Sequence, residues 1–134
     1  MTKTQFKDYT APSNYNNGQR LEFIARYNLT GKTEKADNRK AEKATDCLHY
    51  QIKSARATIC KGKDIAEHIA SERATEFIYI TKTLTAYIMS KAEYLAFCEE
   101  FGTITRESGK NGGAEKTRLK TESAEMLKWL AARA

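Results

Sequence analysis

Hydrophobic and polar positions along the chain alternate between a period near 3.6 and a period of two, which predicts helices and strands in succession. Residues 1–17 are polar and rich in Asn and Tyr, and read as an arm or irregular lead-in. Gln19–Asn28 follows a helical pattern, with Leu21, Ile24 and Ala25 on one face and Phe23 and Tyr27 beside them. A lysine-rich stretch from Asn28 through Thr45 comes next, with a short strand expected around Glu34–Asp37 and a turn near Asn38–Thr45. From Cys47 to Ile59 the chain alternates as a strand would. Leu48, Tyr50 and Ile52 point one way, and His49, Gln51 and Lys53 the other.

Gly62 ends that run, and Asp64 is placed to cap a helix over Ile65–Arg73 with Ile65 and Ile69 facing inward. Phe77–Ile80 and Ala86–Met89 read as two strands joined by Thr81–Thr85. Ser90 caps a helix whose Tyr94, Phe97, Cys98 and Phe101 recur at i, i+3, i+4, i+7 and should be core. Thr103–Arg106 and Lys116–Lys120 flank Ser108-Gly109-Lys110-Asn111-Gly112-Gly113 as a hairpin would. Thr121 opens a last helix with Met126, Leu127 and Leu130 buried and Trp129 at the edge. The resulting order predicts a mixed α/β fold with one central sheet flanked by helices.

Length and composition narrow the class. With 134 residues, 40% hydrophobic and 30% charged, the chain suits one domain, divided as an arm over 1–17, a core over 18–101 and an addition over 102–134. No stretch approaches the roughly 18 apolar residues of a membrane span, and the polar start lacks the apolar run of a signal peptide. Cys47, Cys60 and Cys98 sit in apolar contexts without metal-ligand spacing, so a reducing, cytoplasmic setting is expected.

Charge then points to a partner. The net charge is +6, and Lys32 through Lys63 holds nine Lys/Arg against four Asp/Glu, or +5 of it. A basic stretch of this kind favours a polyanion.

Candidate chemistry gathers around Gln51 and Lys53, two apart on one strand face. Their opposite face is apolar and should pack on a helix, leaving the Gln/Lys face to something polar. Asp37 lies far enough upstream for a turn to return it beside Gln51. Together these groups would suit Mg²⁺ (or Mn²⁺) and an attacking water. Asp37 and Gln51 would serve as oxygen ligands, Lys53 would orient or deprotonate the water, and Glu22 would hold the metal through water or bind a second ion. Asp46 is a rival acid, but strand phase assigns it to the other face. Glu22 and Arg26 at i, i+4 also read as a surface ion pair. His49 reads as a hydrogen-bonded structural histidine or a phosphate contact, and His68 as exposed. Lys32, Lys35, Arg39, Lys40, Arg56, Lys110, Lys116 and Arg118 are the expected nucleic-acid contacts.

The helix bearing Glu22, then Asp37, then Gln51-Ile52-Lys53-Ser54, then the Asp64–Arg73 helix and the Phe77–Ile80 strand resemble the PD-(D/E)XK, or restriction-endonuclease-like, nuclease superfamily in its Gln variant. The resemblance spans roughly residues 18–101. It implies Mg²⁺-dependent hydrolysis of DNA phosphodiesters by a homodimer or higher oligomer, with Glu22, Asp37, Gln51 and Lys53 catalytic. Gln51 in place of a carboxylate leaves one negative charge fewer and implies weaker Mg²⁺ binding. A phage or mobile-element origin suits the small size. Two other readings stand beside this one, a non-catalytic DNA-binding or inhibitor protein and a protein-interaction module with a basic face.

Overall fold

The computed structural model describes residues 1–32, 45–62, 64–106 and 115–134. The chain is mixed α/β, and its described elements form two sheets rather than the single one expected. They run β1 (Thr2–Gln5), α1 (Asn17–Thr30), β2 (Tyr50–Lys53), β3 (Thr58–Lys61), α2 (Ile65–Ser71), β4 (Glu76–Ile80), β5 (Thr85–Ser90), α3 (Lys91–Phe101), β6 (Gly102–Arg106), β7 (Glu115–Leu119) and α4 (Ala124–Arg133).

The first sheet has the order β1-β5-β4-β2. Its β2–β4 pair is parallel and its other pairs are antiparallel. The second sheet, β3-β7-β6, is antiparallel throughout. The alternating run Cys47–Ile59 is therefore two strands in different sheets. A turn separates them, closed by Ala57 N donating to Ser54 O at 3.1 Å, with Arg56 in the left-handed region at φ 65°. Residues 1–17 are likewise not all irregular. Thr2–Gln5 pairs with β5, and Phe6 beyond it is buried.

Alternation in the first sheet divides the interior in two. Ile52, Ile78, Ile80 and Ala86 face α1, where Leu21, Ile24 and Ala25 meet them. Phe77, Tyr79, Tyr87 and Met89 face the other way, toward Tyr94, Phe97, Cys98 and Phe101 of α3, Ile59 and Cys60 of β3, and Met126 and Leu130 of α4. The helical ends follow their caps. Ser90 and Glu93 form a reciprocal capping box at α3, and Asn16 and Gln19 do the same at α1. The last helix begins one turn later than expected because Ser123, not Thr121, accepts from the third backbone N–H, that of Met126. No described helix is long and apolar enough to cross a membrane.

Candidate functional site

The segment entering β2 folds back on itself. Tyr50 N donates to Cys47 O at 2.7 Å and Tyr50 O accepts from Cys47 N, a tight turn that Leu48 allows with φ 50°. Among the described strands β2 ends its sheet, so one side of it has no described neighbouring strand to satisfy its backbone. The turn delivers Asp46 there, and Asp46 Oδ2 accepts from Ile52 N at 2.8 Å. Burial is the largest influence on the Asp46 carboxyl and raises its pKa. The Ile52 N–H and the positive charges of Lys53 and Arg26 oppose that rise, while Glu72 adds to it. Asp46 is thus a half-buried acid whose proton is held more tightly than usual, with a lysine and an arginine in its field.

Gln51 and Lys53 pair in register with Phe77 and Tyr79, which places both on the face opposite Ile52. The apolar face packs on a helix as expected. The Gln/Lys face is only half-exposed, because the α3 layer also covers that side of the sheet. Lys53 Nζ donates to Thr58 O at 3.0 Å and lies near enough to Cys98 to lower its thiol pKa, although burial dominates and pushes that thiol up to about 12. Gln51 Oε1 is fully enclosed and has no hydrogen-bond partner among the described residues. An acceptor left in that state costs on the order of 1–3 kcal/mol.

The first helix contributes from across the strand. Glu22 is half-buried, and Arg26, one turn on, is only 6% exposed, with its Nε unpartnered. The arginine lies inside rather than on the surface, and its charge acts on both Asp46 and Cys47. Asp37, Lys35, Arg39, Lys40 and Lys110 lie outside the described residues. Lys32 is exposed just past α1, Arg56 is exposed on the β2–β3 turn, and Lys116 and Arg118 are half-exposed on β7. His49 Nε2 meets Glu76 Oε1 at 2.8 Å. His68 is half-buried rather than exposed, because it reaches Glu72 at 3.0 Å.

The described site thus has Asp46 in the field of Lys53, Arg26 and Glu72, with Gln51 on the same strand face as Lys53. Sequence reasoning missed Arg26 and Glu72, although the i, i+4 spacing of Glu22 and Arg26 was a usable signal. No group of three or more His, Cys, Asp or Glu that could hold a metal occurs among the described residues. One carboxylate and one buried amide oxygen are nevertheless hard oxygen donors of the kind Mg²⁺ takes. In that respect the residues fit the ion that the resemblance implies. In comparisons with known proteins, the chain matches no family model, no curated protein and no solved structure.

Proposed function

We propose that the protein is a Mg²⁺-dependent endonuclease of the restriction-endonuclease-like kind, acting in the cytoplasm as a homodimer or higher oligomer on DNA phosphodiesters. The observation that carries this reading is a half-buried Asp46 bound to the backbone of β2 at Ile52, in the field of Lys53, on a strand whose Gln51 has a buried oxygen with no partner among the described residues. Both features are costs for a structural protein and are relieved by a cation. Asp46 and Gln51 would hold Mg²⁺ (or Mn²⁺), with Glu22 on the neighbouring helix reaching it through water. When bound, the ion would offset charge on the scissile phosphate and make a water more acidic. Lys53 would position that water and stabilise the negative charge that develops on the phosphoryl oxygens. The water oxygen forms the new P–O bond, one bridging P–O bond breaks, and the departing sugar oxygen takes up a proton.

In this reading Asp46 occupies the acidic place that the resemblance gives to Asp37. Supercoiled plasmid tests it. Nicking should require Mg²⁺ or Mn²⁺, stop with chelator, and be abolished in Lys53→Ala and Asp46→Asn. Asp37→Asn decides between the two acids. Retained nicking in Asp37→Asn leaves Asp46 as the ligand, and abolished nicking brings Asp37 into the site. The second reading, a non-catalytic DNA-binding protein, is favoured by one observation, the amide of Gln51 where a second carboxylate would bind the ion more strongly. Salt-sensitive DNA binding without nicking under any divalent ion would leave that reading standing.

A further inference from the structure

The second sheet carries a feature separate from the Asp46 cluster. Along β7, alternation puts Lys116, Arg118 and the adjoining Lys120 on one side, while Leu119 turns into the core. The register extends that side across the sheet. Lys116 pairs with Lys61 of β3 and Thr105 of β6, and Arg118 pairs with Thr58 and Thr103. A cleft of about 510 Å³ opens at one end of the row, and Arg56, Arg118 and Lys120 all line it. Arg56 is fixed there by the β2–β3 turn, where Arg118 Nη1 donates to its carbonyl at 3.4 Å. The walls are set by backbone bonds, from Leu119 N to Ala57 O at 2.9 Å and from Lys120 N to Phe101 O at 2.8 Å. Glu100 and Glu125 also line the cleft and reduce its positive charge.

We infer that this face of the second sheet is a docking track for a DNA backbone, with Lys116, Arg118, Lys120 and Arg56 meeting its phosphates. Side chains two apart on a strand are about 6.8 Å apart. A duplex strand presents one phosphate per roughly 3.4 Å of axis, so a backbone running along β7 offers a phosphate to every cation in the row. Thr103 adds a hydroxyl that can donate to a phosphate oxygen, whereas that of Thr105 donates to Lys116 O at 3.3 Å. Arg56 follows Lys53 by three residues, a chain reach of no more than about 11 Å, so a strand held in the cleft passes close to the Asp46 cluster. The choice of DNA as the partner rests on the nuclease reading, but the track itself rests on the register and the cleft.

The test uses fluorescent duplex DNA in chelator, titrated with salt, for the wild type, the triple variant Lys116→Gln/Arg118→Gln/Lys120→Gln, Glu125→Gln and Lys53→Ala. Circular dichroism confirms that each variant is folded. The triple variant should bind at least about 10-fold more weakly near 100 mM salt, and its salt slope should fall by about 2 to 3, near 0.9 for each phosphate no longer neutralised. Glu125→Gln should bind more tightly, and Lys53→Ala should lower the slope by no more than about 0.9, the share of one phosphate. Wild-type affinity and slope in the triple variant would overturn the track, as would failure of the wild type to bind duplex. Nicking assays on the same proteins separate the two claims. If the triple variant no longer binds and no protein nicks DNA, the track stands and the nuclease reading falls. If the triple variant nicks DNA at wild-type substrate concentrations, the reverse holds.

Discussion

Asp46 shows how a single carboxylate can be concealed in a sequence. Strand phase assigns it to the face opposite Gln51, but phase holds only inside a strand, and Asp46 precedes β2 by a tight turn with Leu48 at φ 50°. The turn carries the carboxylate back to Ile52 N, six residues along the chain. Gln51 and Lys53 lie within the strand, and there the alternation was legible. A stability prediction follows from the raised pKa of Asp46. In the folded state the proton leaves at a higher pH than in the unfolded chain, so without divalent ions the group's contribution to stability falls as pH rises above the ordinary carboxylate range. Asp46→Asn should remove that fall, and in chelator at neutral pH it should melt at or above the wild-type temperature. Mg²⁺ should raise the wild-type melting temperature and leave that of Asp46→Asn unchanged. Melting curves across pH, with and without Mg²⁺, check both. Gln51→Glu adds a charge that a bound cation would compensate, so it should lower the Mg²⁺ concentration needed for nicking. In the binding-module case it would only lower stability.

At the scale of elements, the legible parts were those with strong periodicity or a clear cap. The β4–β5 hairpin, α3 with its Ser90 cap and the β6–β7 pair all stand close to where the pattern put them. Two elements were concealed for different reasons. Thr2–Gln5 is wholly exposed and polar, so it has no hydrophobic signature; its strand form comes from pairing with β5 and from the burial of Phe6 just after it. The break between β2 and β3 has neither glycine nor proline to mark it, because Arg56 takes the left-handed position in the turn. Phe6→Ala should cost about 3–5 kcal/mol, as expected for a buried aromatic, in chemical denaturation. Gly102, between α3 and β6, is required for close approach. A Cβ there would fall within van der Waals overlap of Cys98 O and close to Ile59 and Thr117. Gly102→Ala should therefore destabilise by about 1–3 kcal/mol in the same assay.

For the molecule as a whole, the mixed α/β class was legible and the number of sheets was not. Period-two patterning shows that strands exist but not which partner each finds, so Cys47–Ile59 reads as one strand although its halves join different sheets. That division matters for function. It places the Asp46 cluster on an edge strand of the first sheet and the Lys116–Lys120 row on the second, with Arg56 at the turn between them. Positive charge on the second sheet comes from Lys116, Arg118 and Lys120 near the far end of the chain, outside the basic stretch Lys32–Lys63 that stood out in the sequence. The measurement that tests the central claim most directly is nicking of supercoiled plasmid by purified wild type and Lys53→Ala, with Mg²⁺ and with chelator. The wild type should nick with Mg²⁺ and not with chelator, and Lys53→Ala should not nick although it still binds DNA. Nicking by Lys53→Ala at the wild-type rate, or none by the wild type with either Mg²⁺ or Mn²⁺ despite DNA binding, would contradict it.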